Sequence, residues 1–388
     1  MKIINIGEEK YEEAVRLSEY AFQYTVAEEQ VQERIEQMKK HHHLIGIVEE
    51  DQLIAKLHFL PLEIFLNGKK IKMGGIAGVA TYPEYRRNGY VKGMLTHILK
   101  SMREDGYTIS MLHPFSVAFY RKFGWELFTD QLTVTMKNTD LKFQQEASEK
   151  VQRYSNSVAV SELKAIYEQY GKKFNGMLVR SDDWWKKIVK DKHVAIYTNQ
   201  AKQLNGYFTY VVKDKKMKVE EFVALNGEAR RGLWNYICQH DSMIDELEMI
   251  LEEREPLLFS LDEPRVKREL TPYFMTRIVD VEAFLHQYRF NWQDDEETVL
   301  QITDAYAPWN NQTFLLKDGE ITVMNKSQRE EKRASTLCLS INALAAILFG
   351  YKRPENLMEI GEVSGDDAAI DAFEKLVPHE SPFFYDFF

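Results

Sequence analysis

Residues 76–95 read IAGVATYPEYRRNGYVKGML, and the order of residue types in that stretch decides the fold. Ile76-Ala77-Gly78-Val79-Ala80 is an apolar run with the character of a strand. Pro83 and a basic glycine turn, Arg86-Arg87-Asn88-Gly89, follow it. An amphipathic helix comes next, with Val91, Met94, Leu95, Ile98, Leu99 and Met102 on one face. The first N–H groups of a helix have no internal partner, and its dipole favours negative charge there, so a strand feeding a glycine turn and a helix N-terminus is a ready anion site. Two arginines beside it suit a pyrophosphate with a further phosphate nearby. Downstream, a strand at Tyr107–Leu112 leads to a short helix carrying Phe119-Tyr120, closed by Phe123-Gly124-Trp125.

Working outward, Ile3–Ile6 reads as a short strand, Tyr11–Tyr24 as a helix and Gln30–Lys40 as a second, more polar one. Leu44–Glu49 and Leu53–Phe65 alternate around Glu50-Asp51 as a hairpin does, and Asn67-Gly68 turns the chain into Lys69–Ala80. The predicted order is β-α-α-β-β-β-α-β-α-β. Gly74, Gly75 and Gly78 crowd the fourth strand, where a bulge or a closely approaching ligand gives glycine a reason. His41-His42-His43 is read as part of a strand, where adjacent side chains face opposite ways and cannot converge on a metal, so no metal site is expected.

Lys142–Asn156 is a polar connecting stretch. Beyond it come a helix (Leu163, Ile166, Tyr167, Tyr170) and a tryptophan-bearing helix capped by Ser181. Strands follow at His193–Thr198, Gly206–Val212 and Lys218–Leu225, then the turn Gly227–Gly232 enters another helix. This is a degenerate echo of the first unit, with Glu228 set to repel a phosphate. A third unit begins after Asp280, with a helix at Val281–Tyr288, a strand at Glu297–Thr303, a hairpin over Thr313–Val323 and a helix at Ile341–Phe349. The chain ends Phe383-Phe384-Tyr385-Asp386-Phe387-Phe388, an aromatic tail where termini are ordinarily polar and mobile, so it is expected to pack.

Composition bounds the rest. At 388 residues the chain implies two or three cores. No apolar run approaches the roughly 18 residues of a membrane helix, and Met1–Ile4 runs straight into strand-like sequence, so a cytoplasmic protein without signal peptide is expected. Two widely spaced cysteines fit a reducing compartment and exclude a disulfide scaffold. A net charge of −10 argues against nucleic acid and accommodates cationic small substrates.

The ordered set of strand, Arg86-Arg87-Asn88-Gly89, helix, strand and Phe119-Tyr120-Arg121-Lys122-Phe123-Gly124-Trp125 resembles the acyl-CoA site of the GNAT superfamily of N-acetyltransferases. One departure is Val91, where the pattern has glycine or alanine. Leu112-His113, Met275-Thr276-Arg277-Ile278-Val279-Asp280-Val281 and the terminal phenylalanine extend the resemblance over the whole chain, to the Eis (enhanced intracellular survival) family of aminoglycoside N-acetyltransferases. The implied fold is α+β: tandem GNAT-like domains with mixed central sheets flanked by helices, then a sterol-carrier-protein-like α/β domain. Boundaries are expected at 1–140, 141–280 and 281–388. The resemblance implies acetyl-CoA as co-substrate, aminoglycosides or other polyamines as acceptors, and a hexamer.

It also implies roles. Val79, Ala80 and Thr81 would pair with the pantetheine, and Arg86, Arg87, Asn88, Gly89 and Tyr90 would cradle the pyrophosphate. Tyr120 would be the general acid and the Phe388 α-carboxylate the general base. A backbone N–H near Val79 would face the acetyl oxygen. Acidic or aromatic walls suit a cationic amine, and Phe22, Glu28 and Glu29 are the candidates. Two rival readings are a protein lysine or another small amine as acceptor, and a non-catalytic protein that binds an apolar ligand on the same scaffold.

Overall fold

The computed structural model describes residues 2–144, 150–155, 160–293, 296–332 and 335–388. The first ten elements are β1 (Ile4–Asn5), α1 (Tyr11–Phe22), α2 (Glu28–His41), β2 (His43–Glu49), β3 (Gln52–Leu66), β4 (Lys69–Thr81), α3 (Tyr90–Glu104), β5 (Ile109–Leu112), α4 (Val117–Arg121) and β6 (Glu126–Lys137). That is the expected order. Glu50 and Asp51 take φ of 47° and 64°, and Asn67 and Gly68 take 48° and 74°, the paired left-handed geometry that matches the twist of two-residue hairpins. On β3, Ala55, Leu57 and Phe59 face the helix α3 (Met94, Leu95, Ile98) in one core. The alternate residues Lys56, His58, Leu60 and Leu62 point to the other face, toward α1 and α2.

The second unit supplies β7 (Lys150–Ser155), α5 (Val160–Gly171), α6 (Asp182–Val189), β8 (His193–Thr198), β9 (Leu204–Lys213), β10 (Lys216–Ala224), α7 (Gly227–Cys238), β11 (Glu246–Leu251) and β12 (Lys267–Ile278). The expected polar connection at 142–156 needs correction, because Lys150–Ser155 pairs antiparallel with β8 along the sheet edge; residues 145–149 and 156 lie outside the described residues. The two units do not keep separate sheets. One twelve-stranded sheet runs β1-β2-β3-β4-β5-β12-β6-β11-β10-β9-β8-β7, so β12 lies between two strands of the first unit. It pairs Met275 with Leu112 on one side and with Leu127 on the other. Pro272 has no N–H for the ladder, and the register with β6 shifts there so that Tyr273 is left over as a bulge.

The third unit contains α8 (Val281–Gln287), β13 (Glu297–Thr303), β14 (Thr313–Lys317), β15 (Glu320–Val323), α9 (Lys326–Glu331), β16 (Thr336–Ser340), α10 (Ile341–Leu348), α11 (Pro354–Glu359), β17 (Val363–Ser364) and α12 (Asp367–Leu376). Its sheet runs β15-β14-β13-β16-β17. Helix α10 (INALAAIL) is apolar almost all round because it is covered on several sides, by β6 and β12 of the large sheet and by β16 of the small one. Phe128, Phe274, Leu344, Phe373 and the tail's Phe384 therefore belong to one core. No helix among the described residues is long and apolar enough to cross a membrane.

The aromatic tail packs as expected, with Phe383 and Phe384 buried. Tyr385 donates its hydroxyl to Phe222 O at 3.0 Å. Asp386 is pinned by a buried group that the sequence did not suggest. Arg180 Nε sits 2.9 Å from Asp386 Oδ1, its Nη1 donates to Glu221 Oε2 at 3.1 Å, and its guanidinium lies 4.0 Å from the Tyr167 ring centre. Trp184 Nε1 donates to the same Asp386 oxygen at 2.7 Å. Breaking a buried ion pair costs about 3–5 kcal/mol, toward the lower end here because Glu221 still faces the arginine. Asp386→Ala is expected to lower the unfolding free energy by about 3 kcal/mol in urea titration. Lys70→Ala, which deletes the surface pair with Glu168 at 3.0 Å, should shift it by less than about 1 kcal/mol. Equal small effects would refute the pin.

Candidate active site

The strand–turn–helix segment takes the shape that an anion cradle needs. Gly89 caps α3 at φ 77°, and a side chain there would meet nothing within 4 Å, so the approach to the free amides of Tyr90 and Val91 is open. Arg86, Arg87 and Asn88 are exposed beside it. Arg86 Nε donates to Thr81 O at 3.3 Å and Asn88 Nδ2 to Tyr85 O at 3.3 Å, which folds the turn back on the strand end. Thr81 Oγ1 is buried without a hydrogen-bond partner. These residues fit a pyrophosphate and its pantetheine arm.

Upstream, β4 carries the bulge that the glycines suggested. Lys56 pairs with Ala80 and His58 with Ala77, so Gly78 and Val79 together oppose Leu57, with Gly78 at φ 54°. The Val79 peptide is thereby turned out of the regular ladder. Gly75 has a different reason. A side chain there would come within 3.0 Å of both Phe388 Cε2 and Leu62 Cδ1. The terminal ring thus lies on the α1/α2 face of β4, and its ring centre is 5.1 Å from that of Phe274. Neighbouring Phe387 is 56% exposed, with its ring 5.0 Å from His113.

Tyr120 sits on α4, whose N-cap Ser116 accepts from Phe119 N. Phe115, Phe119 and Trp125 surround its ring. It is only 3% exposed. Burial raises its pKa well above the ordinary tyrosine range, so the phenol keeps its proton throughout neutral pH.

A cleft of about 1010 Å³ separates α2 and β3 from α5 and α6. Its walls include His42, Leu60, Leu62, Arg180 and Trp184. Leu62 is the residue that meets Phe388 at Gly75, and Arg180 and Trp184 hold Asp386, so the tail lies directly behind this wall. Eight lysines and arginines line it against four carboxylates. Phe22, Glu28 and Glu29 are not among the lining residues. Phe22 is 47% exposed, and Glu28 accepts from Arg16 Nη2 at 2.9 Å. The cleft begins one turn further along α2, at Glu33. The histidine run also differs from its expected place on one strand: His41 ends α2, His42 caps it and His43 opens β2. At the corresponding turn of the second unit, Asn226 accepts from Ala229 N at 2.9 Å and Arg230 is bound to buried Glu255, so the basic turn is engaged internally.

Known proteins share this architecture in parts and as a whole. An acetyltransferase (GNAT) domain model matches residues 2–128, a second acetyltransferase (GNAT) domain model matches 176–278, and a sterol carrier protein domain model matches 281–385. The N-acetyltransferase Eis of Mycobacterium tuberculosis is 23% identical over 286 residues, 69% of each chain. An uncharacterized N-acetyltransferase of Streptomyces avermitilis is 22% identical over 330 residues, 79% of each. Among solved structures, a probable N-acyltransferase from Enterococcus faecalis V583 superposes with a TM-score of 0.91 at 25% identity, over 100% of this chain and 99% of that one. Eis1 from Mycobacterium abscessus superposes at 0.82 with 19% identity over 100% of both. Two acetyltransferase matches followed by a sterol carrier match, set on one full-length fold, make this chain an Eis-like tandem GNAT N-acetyltransferase with a C-terminal sterol carrier domain.

Proposed function

We propose that the chain transfers the acetyl group of acetyl-CoA directly to a primary amine, with Tyr120 as general acid and the Phe388 carboxylate as general base. The observation that carries the reading is the convergence on one stretch of β4. The terminal ring lies against Gly75, and the Gly78–Val79 bulge follows on the same strand. Bound acetyl-CoA supplies an activated acyl group on a thiol leaving group, and Arg86, Arg87, Asn88, Gly89 and Tyr90 would hold its phosphates. Val79, Ala80 and Thr81 would align the pantetheine arm. The carboxylate takes the proton that the acceptor ammonium must lose, so that its nitrogen can bond to the acetyl carbon. Val79 N–H donates to the acetyl oxygen as charge builds there, a contact worth about 3 kcal/mol. As the C–S bond breaks, Tyr120 donates to the departing sulfur. We propose the division of the sequence at 1–140, 141–280 and 281–388, with no acetyl-CoA site of its own in the second unit, and a homohexamer on the family resemblance.

Aminoglycosides and related polyamines are the acceptors the resemblance supports, through Phe22, Glu28 and Glu29 at the α1–α2 junction. The cleft supports a second reading. A lining with twice as many basic as acidic side chains suits an amine that also bears a carboxylate or phosphate.

Tyr120→Phe should reduce turnover about 10²-fold or more while acetyl-CoA binding by calorimetry stays nearly unchanged. Full activity in that variant removes Tyr120 as the acid. One glycine added after Phe388 displaces the carboxylate by about 3.8 Å and should abolish turnover without lowering the melting temperature; a fully active extended chain refutes the terminal base. The acceptor is tested by thiol release from acetyl-CoA against kanamycin-type and neomycin-type aminoglycosides, spermidine, a lysine peptide and amino acids. Release with aminoglycosides, at more than one acetyl per molecule, supports the polyamine reading, release confined to amino acids or phosphorylated amines supports the second, and no release at all refutes the reaction as stated.

A further inference from the structure

Strand β3 carries a lysine that none of the roles above uses. Lys56 is fully buried, its Nζ lying 3.0 Å from Gly78 O and 2.7 Å from His58 Nε2. His58 Nδ1 lies 2.8 Å from Nδ1 of His42, which caps α2 and lines the cleft. A continuous hydrogen-bonded row therefore runs from the β4 bulge to the cleft. No carboxylate bonds to any of the three side chains among the described residues. The titratable and charged groups set against the row are His41, His43 and Lys187. Burial pushes the Lys56 ammonium down to about 7, and burial with its cationic neighbours holds His42 at about 4 and His58 well below the ordinary range.

The donor count agrees with a neutral amine. Two acceptors face Nζ, whereas an ammonium has three N–H groups to satisfy. A lysine without a counter-ion is a costly occupant of a strand interior, and an apolar residue would fit the site at lower free energy. What the lysine adds is a hydrogen bond to one particular carbonyl. A peptide group is conjugated, so a donor at its oxygen makes its N–H a stronger donor in turn. The carbonyl is that of Gly78, and the N–H of the same peptide belongs to Val79.

We propose that Lys56 is a positioning residue for acetyl transfer: held by His58 and His42, its amino group fixes and polarises the Gly78–Val79 peptide so that Val79 N–H is aimed at the acetyl oxygen. The proposal rests on the assignment of that N–H as the oxyanion donor. It accounts for the bulge, for the buried lysine and for the histidine row together. It also makes the donor sensitive to pH, because a protonated Lys56 polarises the peptide more than a neutral one does.

The test uses the full chain and two readouts. In Lys56→Met, kcat should fall about 10- to 10²-fold while KM for acetyl-CoA stays within about twofold, a smaller loss than the 10²–10³ of deleting an oxyanion donor outright. The ratio of wild-type to variant kcat should be largest below pH 7 and shrink as pH rises through 7. Independently of any acceptor, the Val79 amide, followed by 15N-valine labelling, should titrate near pH 7 in the wild type. It should not titrate in Lys56→Met, and His42→Asn should move its midpoint. A Val79 amide that ignores pH and both substitutions overturns the proposal, as does a kcat ratio that is flat with pH. A titrating amide in a protein that acetylates nothing would instead overturn the acetyl-transfer reading on which the proposal rests.

Discussion

Strand β12 occupies a slot that its neighbours in sequence do not provide. β5 is only four residues long and pairs with β4 on one side, Met73 with Ile109 through Ile76 with Leu112. Its other edge is closed by residues 275–278, and the far edge of β12 is closed by β6. The strand is completed by Arg277, wholly buried and set beside the Trp125 ring. Its guanidinium donates to Phe123 O and meets Asp304 at 2.6 Å, so one side chain ties β12 to the segment behind Tyr120 and to the third unit. A planar fork with donors in fixed directions can hold two acceptors set apart in this way. The three matched family segments are therefore contiguous in sequence but interlocked in space. Stability of the β4–turn–α3 segment depends on pairings that span more than a hundred residues, which folding must establish at the expense of loop entropy.

The tail imposes a related dependence on the site. Free chain ends fray unless something holds them. Here Phe383 and Phe384 are buried, Tyr273 Oη donates to Asp386 O at 2.9 Å, and Arg180 and Trp184 hold the Asp386 carboxylate. The pinning side chains come from the second unit and from β12, whereas the surface that receives Phe388 is Gly75 on β4 of the first. In the proposed mechanism the position of the Phe388 carboxylate depends on these contacts forming. The second unit, whose own basic turn is tied to Glu255, thus contributes to the site by holding the tail.

The first unit was legible because its signals are local. Alternation along Leu53–Phe65, the Asn67-Gly68 turn and the one-sided face of Met94, Leu95 and Ile98 each specify their element within a few residues. β12 escaped because Pro272 and the exposed, charged run Lys267–Glu269 resemble a loop, and the bulge that accommodates the proline is visible only against β6. The Arg180–Glu221–Asp386 group escaped because its members are brought together by tertiary packing alone. Lys56 and His58 share a face with Leu60 and Leu62, a parity that the sequence does show, but nothing in it reveals that this face is covered and holds no carboxylate for the lysine. The candidates Glu28 and Glu29, expected at the junction of the first two helices, open α2 about one turn short of the cleft, since charge identifies a solvated face without saying what opens onto it.

The basic lining of the cleft and the need for a neutral nucleophile bear on each other. Amine acceptors arrive as ammonium ions at neutral pH, and only the deprotonated form can bond to the acetyl carbon. Positive charge nearby disfavours the ammonium and lowers its pKa, an effect that adds to burial in depressing His42, where Lys56 and Lys187 stand close. At about 4 Å in a medium of effective dielectric 20, one unpaired cation contributes up to about 4 kcal/mol to that repulsion before screening. A cationic wall therefore weakens binding of the charged amine and, by the same interaction, assists removal of its proton by a carboxylate behind the wall. For a polycation the first effect accumulates with each ammonium, whereas for an amine that carries its own anion the anion offsets it. The same lining thus separates the two acceptor classes by physical cause: it taxes every extra positive charge, and it rewards an acceptor that brings one amine to be acetylated and one anion to be held.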